Sequence, residues 1–314
     1  MEPYCYNKLY TIGVVFLVIL IVIWTCRYYY NGNGNGKQEG FSQSKPFVLK
    51  QNDFIYDDFY LQYYDELYST DKYSSQDMKT IKQMTPINES SIFLDIGCGT
   101  GSFLKQVEQN GYIGFGVDKS PLMVSKAQSR LQSSEVECRD VLKDPMYYEN
   151  NTFTHIVCTH FTIYEIEDKA TFFKHCFHWL RGGGHLIIHL VDPELYKKTP
   201  PCVDLSTVES NAGLKKMRIV KPNYDYQVNY TKPPSASSSS NNTVIWRQIE
   251  TFTDKHSTQI RKNEQTLYME PKQHILSTAM DIGFLVKGES VYKKSIQDKH
   301  QFLVVLQKPM CGTE

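Results

Sequence analysis

The sequence lacks an excess of charge of either sign. Its 34 lysines and arginines balance 34 aspartates and glutamates, so the formal net charge is zero. Proteins that bind nucleic acid usually carry a basic patch, so the composition gives no indication of a nucleic-acid partner. The 8 cysteines lack the spacing of metal ligands. We therefore predict no metal site, and free thiols in a reducing compartment.

Charged residues are also absent from Leu9 to Cys26, a segment that is apolar almost throughout. At about 1.5 Å rise per residue, such a helix crosses a hydrocarbon core of roughly 30 Å. No small-residue cleavage site follows, as a signal peptide would need, and all-round apolarity disfavours a buried helix. We predict a transmembrane anchor at residues 1–30, contacting the membrane through residues 9–26.

The basic residues around this segment indicate its orientation. More lysine and arginine follows the apolar run than precedes it, which places the large C-terminal part in the cytoplasm. Asn31–Gly36 repeats Asn-Gly and cannot pack a core, so residues 31–50 are predicted to be a flexible linker. The expected arrangement is a single-pass membrane protein with one folded domain at residues 51–314.

A glycine-rich turn organises the predicted domain. Ile92–Ile96 is a short, largely apolar run, typical of a strand buried on both faces of a parallel sheet. Gly97, Gly99 and Gly101 follow, and a helical pattern begins at Phe103. Missing side chains in such a turn let a ligand reach backbone N–H groups at a helix N-terminus. This pattern predicts a nucleotide-type site.

The carboxylate of Asp95 distinguishes between two kinds of ligand. A dinucleotide-binding loop reads G-x-G-x-x-G, whereas here the third glycine comes one residue early. Asp95 would repel a diphosphate and attract a cation. S-adenosylmethionine (SAM) carries an ammonium and a sulfonium and has no phosphate. The segment Asp95–Gly101 resembles motif I of the class I SAM-dependent methyltransferases.

Further motifs follow in the order found in that family. The predicted strand Tyr112–Val117 ends at Asp118, about 20 residues beyond the glycine turn, where a carboxylate can accept hydrogen bonds from both ribose hydroxyls. Gly116–Met123 resembles motif II, in which the methionine lies near the adenine. Asp140 and Val141 follow the third strand, and the resemblance implies that they contact the adenine amino group and ring.

A tyrosine-rich helix is predicted before motif I, over Asp57–Tyr68. Within it, Tyr64–Tyr68 resembles a segment of many small-molecule methyltransferases in which a tyrosine folds over the SAM site. The alternative is a helix that simply packs on the domain. The resemblance implies SAM binding by the following residues: Tyr64, Asp95, Gly97, Cys98, Gly99, Asp118, Lys119, Met123, Asp140, Val141 and Thr159.

Two candidate catalytic residues follow the fourth predicted strand, Thr154–Thr159. Ligands of doubly wound sheets gather outside the carboxyl ends of the strands. His160 and Tyr164 are therefore the candidates to face the transferred methyl group, with His160 as a candidate general base. The alternative for His160 is a loop histidine satisfied by its own surroundings.

The rest of the pattern completes a seven-stranded sheet. Phe172–Leu180 predicts a helix, Arg181–Gly184 a stop to that helix, and His185–Leu190 a fifth strand. The predicted closing elements are a helix and an antiparallel pair of strands: Ile275–Phe284, Leu285–Tyr292 and Gln301–Leu306.

The segment Val191–Pro271 exceeds what the minimal fold needs. Tyr224–Tyr230 alternates apolar or aromatic with polar residues, the period of a half-buried strand. Thr243–Phe252 and Gln259–Met269 predict two further strands. We predict an antiparallel cap at about residues 191–271, in which small-molecule methyltransferases often carry their substrate pocket. One face of its first strand either lines that pocket or packs onto the domain: Tyr224, Tyr226, Val228 and Tyr230.

The sequence thus predicts an α/β protein with a doubly wound, mostly parallel, Rossmann-like sheet of seven strands, an inserted antiparallel cap and one preceding transmembrane helix. The resemblance implies methyl transfer from SAM to a small-molecule acceptor. Alignment of nucleophile, methyl and sulfur can drive this displacement without an acid or base. The alternatives are a non-catalytic, membrane-tethered SAM-binding module, a protein methyltransferase, and a nicotinamide-dependent oxidoreductase, which Asp95 and the early third glycine disfavour.

Overall fold

The computed structural model of the protein describes residues 41, 43, 45–68, 70–195, 208–209, 216–231, 245–291 and 300–310. The predicted anchor at residues 9–26 lies outside them. In the described part of the chain, no helix combines the length and apolarity needed to span a membrane. The predicted linker, residues 31–50, extends too far, because Phe41 is buried and a strand begins at Phe47.

Two sheets and seven α-helices make up the described part of the chain. The strands are β1 (Phe47–Gln51), β2 (Ile92–Ile96), β3 (Ile113–Asp118), β4 (Glu135–Cys138), β5 (Phe153–Cys158), β6 (Leu180–Val191), β7 (Val208–Glu209), β8 (Lys216–Val220), β9 (Tyr224–Thr231), β10 (Ile245–Asp254), β11 (Ile260–Tyr268), β12 (Leu285–Val291) and β13 (Gln301–Gln307). The helices are α1 (Asp58–Tyr68), α2 (Thr70–Met84), α3 (Ser102–Gln109), α4 (Pro121–Arg130), α5 (Thr162–Glu165), α6 (Lys169–Trp179) and α7 (Lys272–Ile282).

The larger sheet has seven strands in the order β12-β13-β6-β5-β2-β3-β4. The strands from β6 to β4 are parallel, and β13 pairs antiparallel with both β6 and β12. This arrangement confirms the predicted mostly parallel sheet with a closing antiparallel hairpin. Phe93 and Leu94 of β2 are completely buried, as expected for a strand covered on both faces.

The helix before the glycine run Arg181–Gly184 ends close to the predicted position, but the strand was predicted to begin only at His185 and begins earlier. Helix α6 ends at Trp179, and β6 begins at once with Leu180 in an extended conformation. The glycines therefore lie inside the strand. A Cβ atom at Gly184 would lie 2.9 Å from the carbonyl oxygen of Arg181 and 3.1 Å from that of Thr154, so the missing side chain permits close backbone contacts.

The second sheet has six strands in the order β1-β11-β10-β9-β8-β7. Strands β9, β10 and β11 pair antiparallel, as predicted for the cap. Strand β1 was not predicted; it pairs parallel with β11, with Phe47 opposite Ile260. The cap is therefore completed by a segment that precedes the larger sheet in sequence.

Helix α1 packs against the second sheet. Its apolar positions Phe59 and Leu67 are buried, and the Phe59 ring meets Phe252 of β10 edge-on at 5.3 Å. Strand β9 alternates fully buried and half-buried residues, with its tyrosines on the buried face. One continuous apolar core thus includes residues of both sheets and of α1.

Candidate active site

A cleft of about 560 Å³ opens at the carboxyl ends of β2, β3 and β4. It is lined by most of the residues that the sequence predicts to bind SAM: Tyr64, Gly97, Gly99, Asp118, Lys119, Met123, Asp140 and Val141. The others line a small adjoining pocket, together with the glycine turn: Asp95, Cys98 and Thr159. The volume is typical of a cofactor or small-molecule site.

Asp118, at the end of β3, is fixed by two backbone donors. The N–H of Gly99 donates to Oδ2 at 2.9 Å, and the N–H of Ser120 donates to Oδ1 at 2.8 Å. Burial raises the pKa of Asp118, and these two hydrogen bonds oppose that shift. A carboxylate accepts about four hydrogen bonds, so each oxygen can accept another from a ligand hydroxyl.

The glycine turn adopts backbone angles that exclude side chains. Gly97 and Gly99 have φ of +70° and +52°. A Cβ atom on Gly97 would collide with Thr162, and one on Gly99 would lie 3.8 Å from the ring of Tyr64. The N–H groups of Gly97 and Cys98 both donate to the carbonyl oxygen of Val117, at 2.8 and 3.1 Å. Tyr64 therefore lies over a turn that is tied to β3.

Asp95 is buried beneath this turn, with 4% of its surface exposed. Burial raises the pKa of its carboxyl to about 7, although the nearby His160 opposes the shift. A cationic ligand group beside Asp95 would favour the ionised carboxylate. This is the electrostatic preference that the sequence indicated.

An arginine that sequence reasoning missed connects the glycine turn to the helices in front of it. The guanidinium of Arg130, at the end of α4, contacts Asp65 at 2.9 Å and Asp71 at 2.8 Å. It also donates to the carbonyl oxygen of Thr100 at 3.2 Å. This cross-link fixes α1, and with it Tyr64, relative to the turn. No local pattern around Arg130 indicates such a role.

His160 follows β5 and lines the cleft, the small pocket and a further chamber. Its φ of +53° is unusual for a residue with a side chain. Its Nε2 atom lies 3.4 Å from Oδ2 of Asp77, which is buried. The structure therefore places the candidate base where the three spaces meet.

Tyr164, the second catalytic candidate, does not face the cleft. Its side chain is completely buried, and its hydroxyl accepts a hydrogen bond from the N–H of Val191 at 2.8 Å. Neighbouring helical residues point about 100° apart, so the next residue, Glu165, takes the position facing the cleft. The prediction for Tyr164 is corrected accordingly.

Glu165 was missed by sequence reasoning, although it follows directly after the two candidates. It lines both the cleft and the further chamber. The hydroxyl of Tyr56 donates to its Oε1 atom at 3.0 Å. Burial raises the pKa of Glu165 to about 7, a value suited to accepting a proton near neutral pH.

The further chamber, which we call the tyrosine chamber, has a volume of about 50 Å³ and adjoins the cleft. Tyr56, Tyr64, His160 and Glu165 line both spaces. The remaining wall comes from the start of the domain, from the loop after β5 and from the second sheet: Ile55, Tyr60, Tyr68, Phe161, Tyr230, Gln248, Glu250, Gln265 and Leu267.

Comparison with known proteins agrees with this geometry. Residues 94–188 match the family model described as a methyltransferase domain. This match supports the resemblance to SAM-dependent methyltransferases that the sequence motifs indicated. The matched segment begins in β2, just before the glycine turn, and ends in β6.

Two curated plant proteins match part of the chain. Phosphoethanolamine N-methyltransferase 3 of Arabidopsis thaliana is 29% identical over 133 residues, which cover 40% of this chain and 26% of that protein. Phosphoethanolamine N-methyltransferase 1 of Triticum aestivum is 35% identical over 101 residues, covering 30% and 20%. The matches thus span about a quarter or less of these relatives' length.

Solved structures resemble the methyltransferase domain over a longer range. A SAM-dependent methyltransferase from Clostridium acetobutylicum gives a TM-score of 0.56 at 15% identity, covering 80% of this chain and 98% of its own. A SAM-bound amino pentose methyltransferase from Micromonospora echinaspora gives 0.55 at 14% identity, covering 81% and 97%. At such identities these matches establish the Rossmann-like methyltransferase fold.

Proposed function

We propose that the protein transfers a methyl group from SAM to a small-molecule acceptor. The observation that carries this proposal is the junction of the cleft with the tyrosine chamber, which Tyr64, His160 and Glu165 line from both sides. A methyltransferase needs two adjoining sites, one for the donor and one for the acceptor. Holding both reactants in line supplies much of the rate enhancement.

The residues of the cleft suit SAM. Asp118 offers acceptors for ribose hydroxyls, and the glycine turn leaves room beneath Tyr64. Asp95 places negative charge under the turn, which favours a cationic group there. When bound, SAM supplies an activated methyl group on a positively charged sulfur. The protein's own part is to orient the acceptor, exclude water and receive any proton that the acceptor loses.

Two groups at the junction are placed to receive such a proton. His160 stands beside the buried carboxylate of Asp77, and Glu165 receives a hydrogen bond from Tyr56. The similar proteins are named for phosphoethanolamine and for an amino pentose, which supports a small-molecule acceptor. The small size of the tyrosine chamber supports the same class.

We also propose that the domain is tethered to a membrane and faces the cytoplasm. The support is the uncharged segment Leu9–Cys26, with more basic residues after it than before it.

Calorimetric titration with SAM tests the donor site. We expect Asp118→Ala to weaken binding about tenfold or more, because hydrogen bonds to a charged group contribute about 1.5–3 kcal/mol each. Gly99→Val should also lose affinity, because its side chain would fill the space under Tyr64. The matched control is Asp281→Ala, an exposed position on α7. Wild-type affinity in both folded cleft variants would contradict the proposed SAM site.

Turnover separates an enzyme from a non-catalytic SAM-binding module. Incubation with labelled SAM and a small-metabolite extract should produce S-adenosylhomocysteine together with a labelled small molecule. SAM binding without turnover would support the module, and label in protein would support a protein methyltransferase.

A further inference from the structure

The wall of the tyrosine chamber is rich in hydrogen-bond acceptors. Two carboxylates line it, Glu165 and Glu250, together with the amides of Gln248 and Gln265. No lysine or arginine is among the described residues that line it. Tyrosine rings supply much of the remaining surface, and their faces carry negative charge density that attracts cations.

Glu250, on β10, is the most enclosed of these groups, with 2% of its surface exposed. Its Oε1 atom accepts hydrogen bonds from the hydroxyls of Tyr60, Tyr68 and Tyr226, at 2.9, 2.5 and 2.5 Å. Its Oε2 atom accepts one from the side-chain amide of Asn263 at 3.3 Å. These hydrogen bonds hold a carboxylate in place at the wall of a cavity.

The groups that hold Glu250 bring no positive charge. The hydroxyls and the amide are all neutral donors. The guanidinium of Arg261 donates through Nε to Asn263 at 2.7 Å and through its two terminal nitrogens to Asp57 at 2.9 and 3.1 Å, so its ion pair is with Asp57. A buried carboxylate is costly unless a positive partner balances it. Within the described part of the chain, this hydrogen-bond shell leaves the charge of Glu250 for something inside the chamber to balance.

A second hydrogen-bond acceptor at the chamber wall lacks a donor among the described residues. The Oε1 atom of Gln265, on β11, is buried and has no hydrogen-bond partner among the residues that the structure describes. A buried acceptor without a donor is destabilising by about 1–3 kcal/mol. A ligand that brings N–H donors would satisfy it. Carboxylates, aromatic faces and an unmatched amide oxygen therefore all suit a ligand that is positively charged and donates hydrogen bonds.

We propose that the tyrosine chamber recognises a protonated amine and that an amine nitrogen is the methyl acceptor, an inference that rests on the proposed methyl transfer. Glu250 and the tyrosine rings attract the ammonium form. An anionic or purely neutral acceptor would leave Glu250 unbalanced.

The reaction then needs one proton to leave before the methyl group is transferred. Glu165, at the junction with the cleft, takes a proton from the ammonium, which frees the nitrogen lone pair. That lone pair forms the new N–C bond, and the electrons of the C–S bond pass to sulfur. The products are a methylated ammonium and the neutral thioether S-adenosylhomocysteine. The proton on Glu165 passes to solvent.

The test uses the full chain saturated with S-adenosylhomocysteine and two probes of nearly equal size, ethanolamine and ethylene glycol. Isothermal titration should show millimolar or tighter binding of ethanolamine, with ethylene glycol about tenfold weaker or more, since a buried charged contact is lost. This comparison uses the wild-type protein alone, so it does not depend on the folding of a variant.

A matched pair of variants then assigns the recognition to one residue. Glu250→Gln keeps the side-chain shape and removes the charge, and it should lower ethanolamine affinity about tenfold or more. Glu264→Gln makes the same change on β11, where Glu264 contacts Lys262 and Gln51 instead of the chamber. It should leave ethanolamine affinity unchanged. Both variants should bind S-adenosylhomocysteine normally.

Two results would overturn the amine site: equal binding of ethanolamine and ethylene glycol, including no binding of either, or unchanged ethanolamine affinity in Glu250→Gln. Turnover on a neutral acceptor would leave the methyltransferase proposal intact and reject the amine inference. Failure to bind SAM at all would instead reject the proposed function, and the wild-type ethanolamine titration without cofactor would still report on the chamber.

Discussion

At the scale of single residues, the carboxylates of Asp95 and Glu165 titrate in an unusual range. Burial raises the pKa of each to about 7, so a change of pH near neutrality changes the charge around the cleft. A positively charged ligand favours the ionised form of a neighbouring carboxylate. Cofactor binding and proton release are therefore coupled at Asp95.

The Asp95→Asn variant tests this coupling through stability. The pKa of Asp95 is higher in the folded state than in the unfolded state, so the folded protein holds the extra proton between about pH 4 and about pH 7. Asp95 therefore increases the free energy of unfolding at low pH, and this contribution is lost as the pH rises through that window. The asparagine side chain of the variant does not titrate, so the wild type should lose stability relative to the variant.

Denaturant unfolding at about pH 5 and about pH 8 gives the measurement, with a loss of about 1.4 kcal/mol expected for each unit of pKa shift. Asp281→Asn, on the exposed face of α7, is the control. SAM affinity of the wild type should rise over the same pH range, and that of Asp95→Asn should rise less. Identical pH dependence in the wild type and Asp95→Asn would reject the buried, cation-facing role.

At the scale of elements, different residues of strand β9 take the two roles that its sequence left open, packing onto the domain and lining the substrate pocket. Tyr230 lines the tyrosine chamber. Tyr226 is completely buried, packs edge-on against Phe252 at 4.9 Å and donates to Glu250. The same face of one strand thus packs the core and reaches the chamber. For Tyr226 the structure favours packing.

Replacing Tyr226 by alanine should therefore destabilise the fold. Loss of a large buried aromatic side chain costs about 3–5 kcal/mol. Tyr226→Phe is the control, because it keeps the ring and removes only the hydrogen bond to Glu250, at a cost of about 1.5–3 kcal/mol. Thermal unfolding of both variants gives the comparison. An unchanged melting temperature in Tyr226→Ala would show that the ring lines open space.

What the sequence could predict at this scale depended on distance along the chain. The unit from β2 through the glycine turn to Asp118 is local, so spacing and periodicity predict it. The tyrosine chamber is not local, because Glu250 meets Tyr60 across 190 positions of sequence. Strand β1 and the role of Arg130 were not predicted for the same reason, since their partners are distant in the sequence. Tyr164 was misplaced because the orientation of the short helix α5 depends on tertiary packing, and periodicity in so short a segment does not determine it.

At the scale of the whole molecule, the structure shows that the folded domain includes residues that the sequence assigned to the linker. Phe41 is buried, and its backbone N–H donates to Oδ2 of Asp254 at 2.8 Å. Strand β1 then extends the second sheet. The folded domain therefore includes residues about ten positions before the predicted boundary at residue 51.

Deleting residues 1–40 should leave SAM binding intact. The apolar segment at 9–26 is removed, whereas Phe41 and β1 stay, so we expect a protein that needs no detergent and binds SAM like the full chain. Deletion through Gln51 is the informative companion, because it removes β1 and should lower the melting temperature. Membrane sedimentation and calorimetry provide the measurements. Full-length protein that stays in the supernatant would reject the anchor.

The wide separation of Tyr60 and Glu250 along the sequence also sets the order in which parts of the site are synthesised. Every residue that lines the cleft, apart from Tyr268, precedes Lys169 in the chain. The acidic wall of the tyrosine chamber emerges from the ribosome only with β10, and chains generally fold from the N-terminal part first. A nascent chain would thus carry nearly all of its donor-binding residues before it could select an acceptor. The residues that select the acceptor are thus made after those that bind the donor.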